Sequence, residues 1–169
     1  MRKKQVVVIG SSDDTRFLDE ARAIGAFVAE REYVLITGGR GGIMEAASQG
    51  AAERGGIVIG ILPGEDKNGA NSHCGIVIPT GLGYARNAVN VLAADVAVAI
   101  GGSFGTLSEI AYSRTYGIPL ICCSFAEGWS RDFANWFELN RIGGPVFIAR
   151  DTDQTCRLID QCLLETPHA

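Results

Sequence analysis

An α/β fold, a three-layer sandwich with a mostly parallel sheet flanked by helices, is predicted by two features of the chain. Short β-branched runs alternate with longer amphipathic stretches, and glycine-rich turns join several of them. "KQVVVIG" (4–10) reads as a first strand. "DDTRFLDEARAIGAFVAERE" (13–32) reads as a first helix, with Asp13 or Asp14 as N-cap and Phe17, Ala21, Ile24 and Val28 on one face. "YVLITGG" is the second strand, and "GGIMEAASQGAAERGG" is an alanine-rich helix closed by glycines. "IVIGILP" is a buried strand, followed by the polar loop "GEDKNGANSHCG" and the short strand "IVIPT". "GLGYARN" leads into the helical "AVNVLAA", and the strand "DVAVAI" enters "GGSFGT" and the helix "TLSEIAYSRTYG". "IPLICCS" is another buried strand. The remainder holds a helix "WSRDFANWFELNR", a strand "PVFIAR" and a helix "TDQTCRLIDQCLLE". No repeat and no long linker divides residues 1–169, so one Rossmann-like domain is expected.

Composition restricts the class of function. With 47% hydrophobic and 20% charged residues the chain is that of an ordered globular protein. A net charge of −4 and a pI near 5.2 provide no general basic field, which argues against nucleic-acid binding; any phosphate chemistry must be local. The apolar stretch after "MRKK" is too short for a signal h-region, and no window approaches a membrane span, so no membrane partner and a cytoplasmic setting are expected. Cysteines 74, 122, 123, 156 and 162 lack C-x-x-C spacing and read as reduced, mostly buried thiols.

In parallel α/β sheets ligands bind outside the carboxyl ends of the strands, near the reversal of strand order. Four loops meet that description: "GSSDD" with Gly10 and Ser11, "TGGRGG" with Gly38 to Gly42, "PTGLGYARN" with Gly83, Arg86 and Asn87, and "GGSFGT" with Gly101 to Thr106. Three are glycine-rich and open a helix, a form that directs backbone N–H groups at an oxyanion. There is no Walker-type G-x-x-x-x-G-K, no G-x-G-x-x-G in the first turn, and no acid after the second strand, which argues against a P-loop NTPase and a dinucleotide dehydrogenase. His73 and His168 are isolated, so neither a zinc site nor a Ser-His-Asp triad is expected. No lysine marks a pyridoxal phosphate site, and no catalytic metal is expected.

Glu109 admits two readings. Thr106-Leu107-Ser108-Glu109 has the spacing of a capping box, in which Glu109 would return to the Thr106 backbone N–H. Alternatively its carboxylate faces the ligand beyond the phosphate, at a sugar hydroxyl or a developing oxocarbenium. Arg86 suits bidentate phosphate binding, against the reading of an ordinary surface arginine, and Arg40 either meets an anion or is a solvated loop charge. Tyr84 and Phe104 either stack on a heteroaromatic ring or pack on the core, and the "NWF" aromatics pack against the sheet or another subunit.

"TGGRGGIMEAASQGA", "GLGYARNAVNVLAADVAVAIGGSFGTLSEIA" and "GIPLI", in this order over roughly residues 5 to 125, resemble the molybdenum cofactor carrier proteins. The wider group includes the Lonely Guy phosphoribohydrolases, often misannotated as lysine decarboxylases, whose signature is P-G-G-x-G-T-x-x-E with an upstream R-K. The resemblance implies that Gly101, Gly102, Gly105 and Thr106, with Ser103 and Phe104 in the same turn, form a phosphate-binding loop. It implies that Glu109 matches the catalytic acid and Arg86 the arginine of the pair, and that Gly38, Gly39, Gly41, Gly42 and Met44 line the ligand site. Ile100 replaces the signature proline and Asn87 the lysine, departures toward the carrier branch. The expected function is binding and protective carrying of a phosphorylated heterocycle, the molybdenum cofactor or a related nucleotide. The alternative is a phosphoribohydrolase using Arg86 and Glu109, and a third is a nucleotide-sensing domain. Apolar and aromatic helix faces beyond what one sheet covers add the expectation of a homodimer or homotetramer.

Overall fold

The strands form where valine and isoleucine run unbroken, because a central parallel strand is buried on both faces and needs no polar alternation. A computed structural model describes residues 2–164; Met1 and residues 165–169, and with them His168, lie outside the described residues. The order is β1 (Gln5–Ile9), α1 (Leu18–Glu30), β2 (Val34–Thr37), α2 (Ile43–Glu53), β3 (Ile57–Leu62), β4 (Ile76–Pro79), a 3-10 turn (Gly83–Ala85), α3 (Arg86–Leu92), β5 (Val96–Ile100), α4 (Phe104–Tyr116), β6 (Leu120–Cys123), α5 (Trp129–Asn140), β7 (Val146–Ala149) and α6 (Thr152–Leu164). All strands pair in parallel, in one seven-stranded sheet of order β4-β3-β2-β1-β5-β6-β7. The sheet expected to be mostly parallel is thus entirely so among the described residues.

The period-two geometry of a strand divides the core into two layers. Val6 and Val8 of β1, with Val96, Val98 and Ile100 of β5, join Ile24 and Val28 of α1, Ala47 of α2 and Ile159 of α6. The alternate residues Val7, Ile9, Ala97 and Ala99 face the other way, to Ile110 of α4 and Ala134 of α5. Helices α1 and α2 approach at backbone distance: a Cβ on Gly25 would strike the Ala47 carbonyl, and one on Gly50 the Arg22 carbonyl.

Helix starts differ from expectation at α1, α3 and α4. Neither Asp13 nor Asp14 caps α1, which begins at Leu18 after Phe17 at φ 58° with no side-chain cap. Asp14 is instead committed to Arg16, accepting from its backbone N–H at 3.0 Å and its Nε at 3.1 Å, so residues 10–17 remain a loop across the end of β1. Helix α3 starts at Arg86, not at Ala88, because the turns at Gly81 and Gly83 (φ 65° and 56°) bring the chain into helical conformation early. Helix α4 ends where expected, at Gly117 with φ 68°.

No helix among the described residues is long and apolar enough to cross a membrane. Cys74, Cys122, Cys123 and Cys156 are free thiols; Cys122, Cys123 and Cys162 are buried, whereas Cys74 and Cys156 are only half-buried. Burial pushes the Cys123 thiol up to about 12, leaving it chemically inert. Phe133 of α5 packs against the core, while Trp136 of the same helix is about half exposed.

Candidate functional site

Strand order reverses between β1 and β5, and a cleft of about 540 Å³ opens above the carboxyl ends of these two strands. Gly10, Ser11, Ser12 and Asp13 come from the loop after β1, and Arg40 and Met44 from the loop and helix after β2. Tyr84, Arg86 and Asn87 come from the start of α3, and Ser103, Phe104, Gly105, Ser108 and Glu109 from the first turns of α4. All four glycine-containing loops singled out in the sequence therefore reach one place.

Arg86 enters it from the first residue of α3. It is only 7% exposed and its Nε is buried without a hydrogen-bond partner, so it is not an ordinary surface arginine. Burial lowers its pKa; the nearby Glu109 opposes that effect and the nearby Arg40 adds to it. Gly38 makes room for this side chain, since a methyl there would meet the Arg86 guanidinium and the Met44 sulfur.

Glu109 lies across from Arg86 on α4 and is 6% exposed. It does not close a capping box. Gly101 and Gly102 turn at φ 56° and 96°, Ser103 becomes the N-cap residue, and α4 begins at Phe104, two residues before the expected start. Glu109 is then the sixth helical residue, and its Oε1 accepts a hydrogen bond of 2.8 Å from Asn90 Nδ2 of α3. Burial raises its pKa from 4.5 to about 7, against the opposing hydrogen bond of Asn90 and charge of Arg86. The Asn90 Oδ1 is itself buried without a partner.

Around this pair the backbone offers further donors. Helix α4 has no side-chain cap, and neither has α2, which starts after Gly42 at φ 60°. An uncapped N-terminus carries a partial positive charge and leaves N–H groups open, although at α2 the first of them, Ile43 N–H, already donates to the Ser11 carbonyl at 3.2 Å. Asn87 takes a supporting part: its Nδ2 donates to Ser108 Oγ at 2.8 Å and ties α3 to the first turn of α4, leaving Arg86 without a second cation on this helix. At the rim Tyr84 and Phe104 are 86% and 78% exposed, large apolar rings in solvent rather than core packing.

Of the residues singled out in the sequence, Gly10, Ser11, Arg40, Met44, Tyr84, Arg86, Asn87, Ser103, Phe104, Gly105 and Glu109 line the cleft. Gly38, Gly39, Gly41, Gly42, Gly83, Gly101 and Gly102 shape the loops behind it. Thr106 is buried beneath Gly102 with its Oγ1 unpartnered and does not form the cleft wall. Ser12, Asp13 and Ser108 line the cleft without having been singled out as ligand residues. Ser12 and Asp13 directly continue the first loop, a signal obscured by reading Asp13 as a helix cap; Ser108 sits inside the apparent capping box.

The model of the SLOG cluster4 family matches residues 3–154. The chain belongs to the SLOG cluster4 family. This SLOG cluster4 chain is similar to the molybdenum cofactor binding protein of the phototrophic bacterium Rippkaea orientalis, at 36% identity and a TM-score of 0.87, covering 96% of this chain and 99% of that one. It is similar also to the molybdenum cofactor carrier protein of Chlamydomonas reinhardtii, at 31% identity and a TM-score of 0.83, with 96% and 99% covered. An uncharacterized protein of Archaeoglobus fulgidus is 41% identical over 118 residues, 69% of this chain and 78% of that protein. The SLOG cluster4 chain thus shares the α/β Rossmann-like architecture of solved molybdenum cofactor carriers over nearly its whole length.

Proposed function

We propose that the cleft binds a phosphorylated heterocycle, the molybdenum cofactor in particular, and that the protein carries and protects it. The observation that supports this reading best is Arg86, almost wholly buried at the cleft with its Nε unpartnered, beside the uncapped start of α4. A buried donor left unpaired on a desolvated cation is costly, and a phosphate offers the matching bidentate acceptor. Arg40 adds a second cation, and the exposed rings of Tyr84 and Phe104 offer apolar faces for a heterocycle at the rim. The cleft volume of about 540 Å³ falls within the range of roughly 300–1,000 Å³ typical of small-molecule sites. The likeness to molybdenum cofactor carriers supports the choice of cargo.

In this reading Arg86, the Ser103–Gly105 turn and the N–H groups opening α4 hold phosphate, and Glu109 faces the part of the ligand beyond it. Calorimetry with molybdopterin, molybdate and mononucleotides tests the proposal: binding of molybdopterin supports it, and no affinity for any of the three overturns it. Self-association into a dimer or tetramer is part of the proposal, since Leu92 of α3 and Ile76 and Ile78 of the edge strand β4 are exposed apolar side chains. Light scattering on the purified protein measures it, and a monomer at all concentrations rejects it.

One observation favours a second reading. Glu109 combines burial, a pKa of about 7 and a place opposite Arg86, as a group that stabilises an oxocarbenium and orients water would require. Release of free base from AMP by the wild type but not by Glu109→Ala would replace the carrier reading with a phosphoribohydrolase.

A further inference from the structure

The loop that carries Arg40 is Gly38-Gly39-Arg40-Gly41-Gly42. Four glycines around one arginine make a backbone with a large entropy to lose on ordering, and nothing in that composition holds a guanidinium in place. Yet Arg40 lines the cleft, near enough to Arg86 to perturb it. The order comes partly from outside the loop. Asn71, from the polar segment after β3, donates its backbone N–H to the Gly39 carbonyl at 2.8 Å and its Nδ2 to the Arg40 carbonyl at 3.0 Å. The Asn71 amide is itself oriented, because its Oδ1 accepts the His73 backbone N–H at 3.1 Å in an Asx-type turn, which directs Nδ2 toward Arg40. On the inner side Thr37 Oγ1 accepts from the Gly39 N–H at 3.1 Å. Asn71 itself does not line the cleft.

We propose that Asn71 is a positioning residue: through its hydrogen bond to the Arg40 carbonyl it holds the Gly38–Gly42 loop so that the Arg40 guanidinium meets the anionic group of the ligand. This rests on the reading of the cleft as an anion site. It gives the segment after β3, which contributes no cleft residue, a part in affinity.

The experiment compares the full-length wild type with Asn71→Ser, Arg40→Ala and the double variant. Serine can still accept from the His73 N–H but is too short to reach the Arg40 carbonyl, so the turn at 71–74 and the backbone bond to the Gly39 carbonyl are kept while the side-chain bond to the Arg40 carbonyl is removed. Asn71→Ser is expected to raise hydrogen exchange in the 39–42 segment and the mobility of Arg40 Nε in NMR relaxation, and to weaken binding of inorganic phosphate and AMP by roughly three- to tenfold, the range for one lost hydrogen bond. In the Arg40→Ala background the same change is expected to have no further effect on affinity, which a purely structural role would not produce. Unchanged exchange and Arg40 mobility overturn the proposal, and so does an affinity loss that adds in full to that of Arg40→Ala. If the wild type binds neither probe nor molybdopterin, the anion-site reading fails, and the exchange and relaxation data still decide whether Asn71 restrains Arg40. Should Asn71→Ser not fold, Asn71→Ala is measured in the same way.

Discussion

Replacing Glu109 by glutamine turns its buried carboxyl into a direct measurement of the electrostatics of the cleft. The folded protein holds this proton until about pH 7, whereas in the unfolded chain the group releases it near 4.5. Between these values the unfolded state binds fewer protons than the folded one, so the contribution of Glu109 to stability falls as pH rises and levels off above about 7. The gap between 4.5 and about 7 corresponds to roughly 3 kcal/mol at most. Glutamine is neutral throughout and retains an oxygen to accept from Asn90 Nδ2. The variant is therefore expected to match the wild type at pH 4 and to exceed it at pH 8 by up to roughly 3 kcal/mol, or about 6–12 °C in Tm for a chain of this size. Circular-dichroism melts of the ligand-free proteins at fixed ionic strength measure the difference. Other carboxyls titrate with the opposite sign, such as Asp95, where the cost of burial is outweighed by hydrogen bonds from Arg2 and Gln5, but they cancel between the two proteins. A gap of equal size at pH 4 and pH 8 would refute the reasoning. So would a wild type that gains on the variant as pH rises, since Glu109 would then be an ionised partner of Arg86.

Arg86→Ala is expected to weaken phosphate and AMP binding by at least about tenfold, the loss of a charge-assisted contact, with thermal stability held or raised because a desolvated cation with an unpaired Nε is removed; calorimetry and melting curves check both. Gly38→Ala places a methyl against the Arg86 guanidinium, so affinity should fall with little change in helical content, and unchanged affinity counts against the assigned place of Arg86. Asn90→Ala removes the donor to Glu109 Oε1, and the Glu109 titration followed by carboxyl NMR should move above about 7; a downward move contradicts the hydrogen-bond assignment.

The parallel architecture was legible because its cause is local. A run such as "DVAVAI" is apolar without alternation, and only a strand covered on both faces makes use of that. The position of the cleft followed from the same reading, since glycine-rich loops after successive strands collect at one edge of the sheet. Helix starts were less legible. The capping-box spacing at Thr106–Glu109 is real in the sequence, but it competes with two glycines that turn the chain earlier, and φ values of 56° and 96° at Gly101 and Gly102 decide the competition. Asp14 met a similar competition, won by Arg16 two residues away.

From the sequence alone came the order of strands and helices, the loops at which ligand chemistry concentrates, and the identities of Arg40, Arg86 and Glu109 among its charged members. Those depend on periodicity, turn chemistry and residue type, which are properties of short stretches. Only the tertiary structure decided that Arg86 is buried without a partner at Nε, that Glu109 bonds to Asn90 instead of its own helix end, and that Asn71 reaches the Arg40 loop. Burial and pairing depend on which helices and loops meet in space. A residue 19 positions away donates to Glu109, and one 31 positions away donates to the Arg40 carbonyl.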